Sequence, residues 1–295
     1  MQAPEQAVAP APANTDTADT GGVQQARVYR YRDGKPALAT EADWLAQETP
    51  IALEYNGISH ATVLATPCDI EDLALGFSLT EGIVRSAADV YDVEVAHTPQ
   101  GHIAQLTIAN ACLDQLKRRR RTLAGRTGCG LCGLESLDDV VRPLPPVAGP
   151  AQPIAPDAIV RAMQALRELQ PLHQQTGATH AAAWADMSGA IHCVREDVGR
   201  HNALDKLIGA LLRRQLDPAA GFAVISSRAS FEMVQKAAAV GIPAVAAVSA
   251  PTSYAVQTAT QLGVLLIGFA RKQDFTAYAN LQHLAAPSAP WAAST

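Results

Sequence analysis

The sequence lacks any apolar run approaching the ~18 residues that a bilayer-spanning helix needs, and its first residues carry no basic stretch followed by an apolar one. It therefore reads as a cytoplasmic protein with no membrane partner. Aromatic residues are scarce at 5%, yet 48% of the chain is hydrophobic, and 295 residues exceed one typical domain. A positive surplus is missing too. The 23 Lys and Arg against 28 Asp and Glu leave a net charge of −5, which argues against broad nucleic-acid binding. Five cysteines, an odd number spread over so long a chain, do not make a disulfide framework, so the thiols are expected to be free.

Residues 1–22, rich in Ala, Pro, Gln and Thr, hold too few large apolar side chains to offset the entropy of ordering, and are expected to be a disordered tail; residues 285–295 form a second one. The runs ARVYRY and IALEYNGISHATVLAT predict strands, with Asn56-Gly57 marking a two-residue hairpin. DIEDLALGFSLTEG predicts a helix with Asp69 as N-cap and Gly82 as stop. VYDVEVAHT and HIAQLTIA, separated by Pro99-Gln100-Gly101, predict another hairpin. Residues 23–141 thus read as a small β-rich α+β domain. Six prolines within 142–156 predict a semi-rigid linker and a domain boundary. Residues 157–284 predict an amphipathic helix, a hairpin, a second helix and then β-α-β-α-β. Those last three strands are apolar throughout, as a parallel sheet covered on both faces requires, so the fold class is α/β.

In such a sheet, ligands bind beyond the carboxyl ends of the strands, where helix N-termini expose unpaired N–H groups. The predicted turns there carry Gly199, Arg200, His201 and Asn202; then Ser226, Ser227, Arg228 and Ser230; then Ser249, Thr252 and Ser253; and finally Arg271 and Lys272. Singly these are N-caps and solvated cations; four turns together suit a ligand with several phosphates. Glu196 and Asp197 point to opposite faces of a strand, and pairing with Arg195 or Arg200 is expected of them rather than catalysis. Cys68, Cys112 and Cys193 lie in or beside apolar segments and read as small buried residues.

Cys129 and Cys132, in RTGCGLCG, follow the basic run 117–121. A structural zinc site needs four ligands, and there is no second CxxC, CxxH or HxxxH; the His-x-Glu and Pro-Cys-x-x-Cys of zinc deaminases are missing as well. A thioredoxin-like pair should follow a strand and open a helix, whereas glycines at 125, 128, 130 and 133 predict a mobile loop over 117–134. Arg121 and Arg126 favour thiolate over thiol. A mobile thiolate can collect a group at one place and deliver it at another.

LALGFSLTEGIV, CGLCG, TGATHAAAW, EDVGRHNALDK, SSRASFEMVQKAA, PTSYAV and LLIGFARK, in this order from about residue 25 to 282, resemble the formate dehydrogenase accessory sulfurtransferase family, FdhD. The resemblance implies a protein that takes persulfide sulfur from a cysteine desulfurase. It passes the sulfur to the metal of a molybdenum (or tungsten) bis(molybdopterin guanine dinucleotide) cofactor, a bound substrate destined for formate dehydrogenase. It also implies a homodimer, and a cytidine-deaminase-like C-terminal domain without the zinc site. Cys129 matches the persulfide carrier and Cys132 its partner; Phe269, Ala270, Arg271, Lys272, Gln273 and Asp274 match the cofactor-binding segment. The strand-end turns would hold the guanine nucleotides. AGRTG before Cys129 departs from the small hydroxyl residues expected there. The competing readings are a CxxC disulfide oxidoreductase and a non-enzymatic cofactor chaperone.

Overall fold

The computed structural model describes residues 21–33, 35–36, 40–123 and 142–286. The CxxC segment, residues 1–20 and residues 287–295 lie outside the described residues.

A two-residue turn organises the first sheet. Asn56 and Gly57 both take left-handed backbone, at φ 48° and 78°, and fold β5 (Thr49–Tyr55) onto β6 (Ile58–Ala65). The Asn56 side chain also donates to Ile108 O and accepts from Ile108 N, which ties the turn to the end of β8. The second predicted hairpin forms from β7 (Val90–Thr98) and β8 (Gly101–Ile108). β8 pairs with β5 in parallel, giving the order β6-β5-β8-β7. Ile51, Leu53, Ala104, Leu106 and Ile108 pack on one face of this sheet beneath Leu73 and Ala74 of α1 (Ile70–Thr80). Upstream, β1 (Val23–Val28) pairs with β4 (Glu41–Ala46), and short β2 (Tyr31–Arg32) with β3 (Lys35–Pro36).

Three expectations need correction. Gly22, assigned to the disordered tail, is buried, and its carbonyl accepts from Gln47 N, because only a residue without Cβ fits against the Thr66 methyl. The predicted loop begins too early. α2 (Asn110–Leu123) buries Cys112, Leu113 and Leu116 in the first core and continues through the basic run. No Gly or Pro interrupts residues 110–123, and Lys, Arg, Gln and Leu are good helix formers. Segment 142–156, finally, is a strap rather than a spacer. Arg142 donates to Leu79 O and Thr80 O, Val147 N to Leu262 O, and Ile154 N to His283 O.

The remaining elements are α3 (Pro156–Glu168), α4 (Pro171–Thr176), β9 (His180–Asp186), β10 (Ile191–Asp197), α5 (Arg200–Arg213), β11 (Gly221–Ile225), α6 (Phe231–Ala239), β12 (Ala244–Ala247), α7 (Ser253–Leu262), β13 (Leu265–Arg271) and β14 (Asp274–Ala279). They form one sheet of order β10-β9-β11-β12-β13-β14, in which β10, β11, β12 and β13 run the same way and β9 and the edge strand β14 are reversed. Cys193, Ala223, Ile225, Val245 and Leu266 face α5, α6 and α7, while Val194, Phe222, Val224, Ala246 and Ile267 face α3. This one-residue alternation explains why both faces are apolar. β14 escaped the sequence reading because, as an edge strand, it alternates exposed and half-buried residues.

The two sheets are joined where α1 crosses α5. A Cβ on Gly76 would lie 1.8 Å from Asp205 O, and one on Gly209 would lie 1.9 Å from Asp72 O, so the helices touch backbone to backbone. Buried charges surround the crossing: Asp72 accepts from Arg195 and Arg213 at 2.9 Å. Asp205 accepts from Thr80 at 2.7 Å and from Lys236 at 2.9 Å.

Candidate functional site

Because β10, β11, β12 and β13 share a direction, their carboxyl ends lie on one edge, and three of them feed α5, α6 and α7, whose N-termini therefore converge there. The turns are stitched together. Thr252 N donates to Ala229 O, Val248 N to Ile225 O and Phe269 N to Ser249 O. A side chain at Gly268 would meet Pro251 Cδ at 2.6 Å, so the last strand is held against the third turn.

The first turn is shaped by residues that sequence reasoning set aside. Asp197 is buried; its Oδ2 accepts from Lys206 Nζ at 2.7 Å and Thr66 N at 3.0 Å, and its Oδ1 from Gly199 N at 2.8 Å and Asn202 Nδ2 at 3.0 Å. The cation beside Asp197 is Lys206, one and a half turns into α5 and wholly buried, whereas Arg195, buried as well, is engaged by Asp72. Glu196, on the opposite face, accepts from Leu172 N and His173 N at the start of α4, and from Thr179 Oγ1. Burial pushes its pKa up, and those donors offset only part of the effect.

Asn202 also donates to Leu64 O, so its amide is spent on scaffolding. Arg200 and His201 are different. Arg200 Nε and His201 Nε2 are buried and have no hydrogen-bond partner among the described residues. His201 Nε2 stops 3.8 Å short of Glu232 Oε2, across the gap between the starts of α5 and α6. Burial, then the Arg200 charge, holds His201 below the usual histidine pKa, which keeps the ring neutral at pH 7. Burial, then Arg200, acts likewise on His180 at the start of β9. Burial pushes Glu232 up, but the Ser230 hydroxyl, its own backbone N–H and the Arg200 charge outweigh this and hold its carboxyl below the usual range.

In the second turn, Ser227 Oγ donates to Arg228 O, Arg228 is exposed, and Ser230 is the N-cap residue of α6. In the third, Thr252 caps α7 by accepting from Ala255 N, with exposed Ser253 following. Phe231 and Tyr254 add an aromatic pair with ring centres 5.0 Å apart, which polar motif reading passed over. Phe269, with left-handed φ 53°, is 39% exposed and lies under the Arg271 guanidinium at 5.8 Å. A non-glycine residue in that conformation costs about 1–3 kcal/mol and marks a backbone held in place by its surroundings.

The segment 269–274 does not act as one surface. Phe269 joins the turns, Ala270 is buried in the α3-side core, and the Lys272 carbonyl accepts from Gln164 of α3, with Gln273 beside that helix. Cys68, Cys112 and Cys193 are buried, as expected. Among the described residues no three His, Cys, Asp or Glu side chains gather as metal ligands. No helix among them is long and apolar enough to cross a membrane. The edge as a whole offers buried donors, three helix N-termini and exposed rings, a set suited to phosphates joined to flat heterocycles.

The profile of the FdhD/NarQ family matches residues 46–285. A Bordetella petrii protein named sulfur carrier protein FdhD is 55% identical over 275 residues, 93% of this chain and 96% of that one. A protein of the same name from Cupriavidus necator is 51% identical over 257 residues, 87% of this chain and 88% of that one. The crystal structure of a putative formate dehydrogenase accessory protein from Desulfotalea psychrophila superimposes with a TM-score of 0.69 at 22% identity, covering 89% of this chain and 99% of that one, a likeness of fold alone.

Proposed function

The chain belongs to the FdhD/NarQ family, and on that premise we propose that it is a sulfur carrier with sulfurtransferase activity, serving formate dehydrogenase. The Cys129 thiolate attacks the terminal sulfur of a persulfide on a cysteine desulfurase. Cys129–S–SH forms and the desulfurase cysteine leaves as a thiolate, so no oxidant is consumed. The sulfur then passes to the molybdenum or tungsten of a bis(molybdopterin guanine dinucleotide) cofactor, held as substrate at the strand-end edge. Cys132 either attacks Cys129 Sγ directly or first takes the terminal sulfur itself, Cys129 leaving as thiolate and then attacking Cys132 Sγ; on both routes a disulfide forms, the two thiols supply the two electrons, and hydrosulfide is released for delivery. Residues 23–141 present the cysteines. Residues 157–284, read as a deaminase-like domain without zinc, hold the cofactor, and the chain works as a cytoplasmic homodimer.

The observation that carries this reading is the meeting of three helix N-termini with unpaired Arg200 Nε and His201 Nε2 at one sheet edge. Such donors suit pyrophosphate oxygens, and the exposed rings of Tyr254 and Phe269 suit guanine or pterin planes. The decisive experiment is intact mass before and after incubation with a cysteine desulfurase and cysteine. A reducible gain of about 32 Da on Cys129, lost in Cys129→Ser, is expected. No gain on either cysteine, beside a competent desulfurase, overturns the carrier role and leaves the chaperone or redox reading.

A further inference from the structure

The β7–β8 hairpin carries a feature that the sulfur chemistry does not use. His97 and His102 are direct cross-strand partners, spaced as H-x4-H, within the interval common between histidine ligands of metals. Their Nδ1 atoms face each other at 2.8 Å, with the rings nearly perpendicular at 86°. Neither imidazole has another hydrogen-bond or ion-pair partner among the described residues. They continue the row Val93–Leu106 and Val95–Ala104 on the core-facing side of the sheet, but at its end, where His97 is exposed and His102 half-buried.

The scaffold beneath them is stiff. Thr98 Oγ1 donates to Gly101 O across the turn, and a Cβ on Gly101 would lie 2.2 Å from Pro50 O, so the hairpin is clamped to β5. Two nitrogens bound at about 2.0 Å in adjacent positions of a tetragonal ion stand about 2.8 Å apart, whereas a tetrahedral ion sets them about 3.3 Å apart. The observed spacing matches the first.

We propose that His97 and His102 form a two-histidine site for a late first-row transition-metal ion of tetragonal preference, Cu²⁺ or Ni²⁺, with water in the other positions. The ion lies off the line between the two nitrogens, about 2.0 Å from each, and the hydrogen bond between them is broken. The proton of that hydrogen bond moves by tautomer shift to the outer Nε2 of its own ring, which leaves both Nδ1 lone pairs for the ion. Neither histidine belongs to the strand-end turns.

Copper(II) titration of the full, untagged chain carrying Cys129→Ser and Cys132→Ser tests this, since the remaining cysteines are buried and do not compete. Electron paramagnetic resonance should show one equivalent of Cu²⁺ coupled to two nitrogens. His97→Gln or His102→Gln should each reduce the nitrogen coupling and weaken binding at least tenfold, with an unchanged far-ultraviolet circular dichroism spectrum and metal-free melting temperature showing intact folds. Affinity and spectrum unchanged in both variants, or no site tighter than the background left by the double variant, overturn the proposal.

Discussion

Replacing Gly209 with alanine sets two effects against each other. In an isolated helix the change favours folding by roughly 0.5–1 kcal/mol. Here the new methyl carbon would lie 1.9 Å from Asp72 O and 2.6 Å from its carbonyl carbon. Since non-bonded heavy atoms rest about 3.5 Å apart and a helix carbonyl cannot swing aside, α1 and α5 must separate by roughly 1.5 Å. Overpacking of this kind costs about 1–3 kcal/mol. The separation also strains the charged bonds that bridge the crossing, Arg213 to Asp72 at 2.9 Å and Thr80 to Asp205 at 2.7 Å, and loss of one adds about 1.5–3 kcal/mol. The expected net destabilisation is about 3 kcal/mol. Gly76→Ala, whose methyl would lie 1.8 Å from Asp205 O, should cost about as much, by the same arithmetic. Because either methyl opens the same gap, the double variant should fall short of the summed losses by about 1 kcal/mol or more. Urea unfolding of the three variants supplies the cycle. A single variant more stable than the parent, or strictly additive losses, would refute the backbone contact.

Three other outcomes are expected. Lys206→Met should destabilise by about 3–5 kcal/mol by leaving Asp197 buried without its cation, and Lys206→Met with Asp197→Asn should recover part of it in urea unfolding. Arg200→Ala should weaken binding of a guanine nucleotide about ten- to hundredfold, the value of one or two charged hydrogen bonds, with little change in melting temperature. Asn202→Ala should do the reverse, because its amide serves Asp197 and Leu64; calorimetric titration beside a thermal melt separates the two. Finally, His201 has a depressed pKa among Arg200, Glu232, Lys236 and Glu81. It is neutral when folded and binds a proton more readily when unfolded. Its contribution is therefore whole above about pH 6.5, the unfolded value, and is lost as pH falls from there through the folded value. His201→Gln should make the stability curve shallower between pH 7.5 and 5; an unaltered slope would contradict the assignment.

Local rules made much of the fold legible. Asn56-Gly57 specified its hairpin because both positions accept positive φ, and the apolar runs FAVIS, PAVAAVS and VLLIGF became parallel strands because both faces of that sheet are covered. α2 and β14 were less legible, one through its charge and the other through its edge position. At the strand ends, the sequence named the turns but could not divide their labour. Asn202 and Arg200 stand two residues apart, yet one amide is consumed by Asp197 and the other side chain keeps a free buried donor. Phe231 and Glu232 lie in SSRASFEMVQKAA and Tyr254 in PTSYAV, but neither motif tells them from ordinary helix residues as site residues, and only the convergence of α5, α6 and α7 gives them a common direction.

By itself the sequence determined the class of the fold, the set of strand-end turns and the pair of cysteines, because these follow from periodicity, turn chemistry and spacing along the chain. Only tertiary structure decided which polar groups hold the scaffold and which are left to meet a ligand. Partners such as Asp197 with Thr66, Asp205 with Thr80 and Arg195 with Asp72 lie more than a hundred residues apart. Whether a buried charge is satisfied depends on what the fold brings beside it, and no local pattern encodes that.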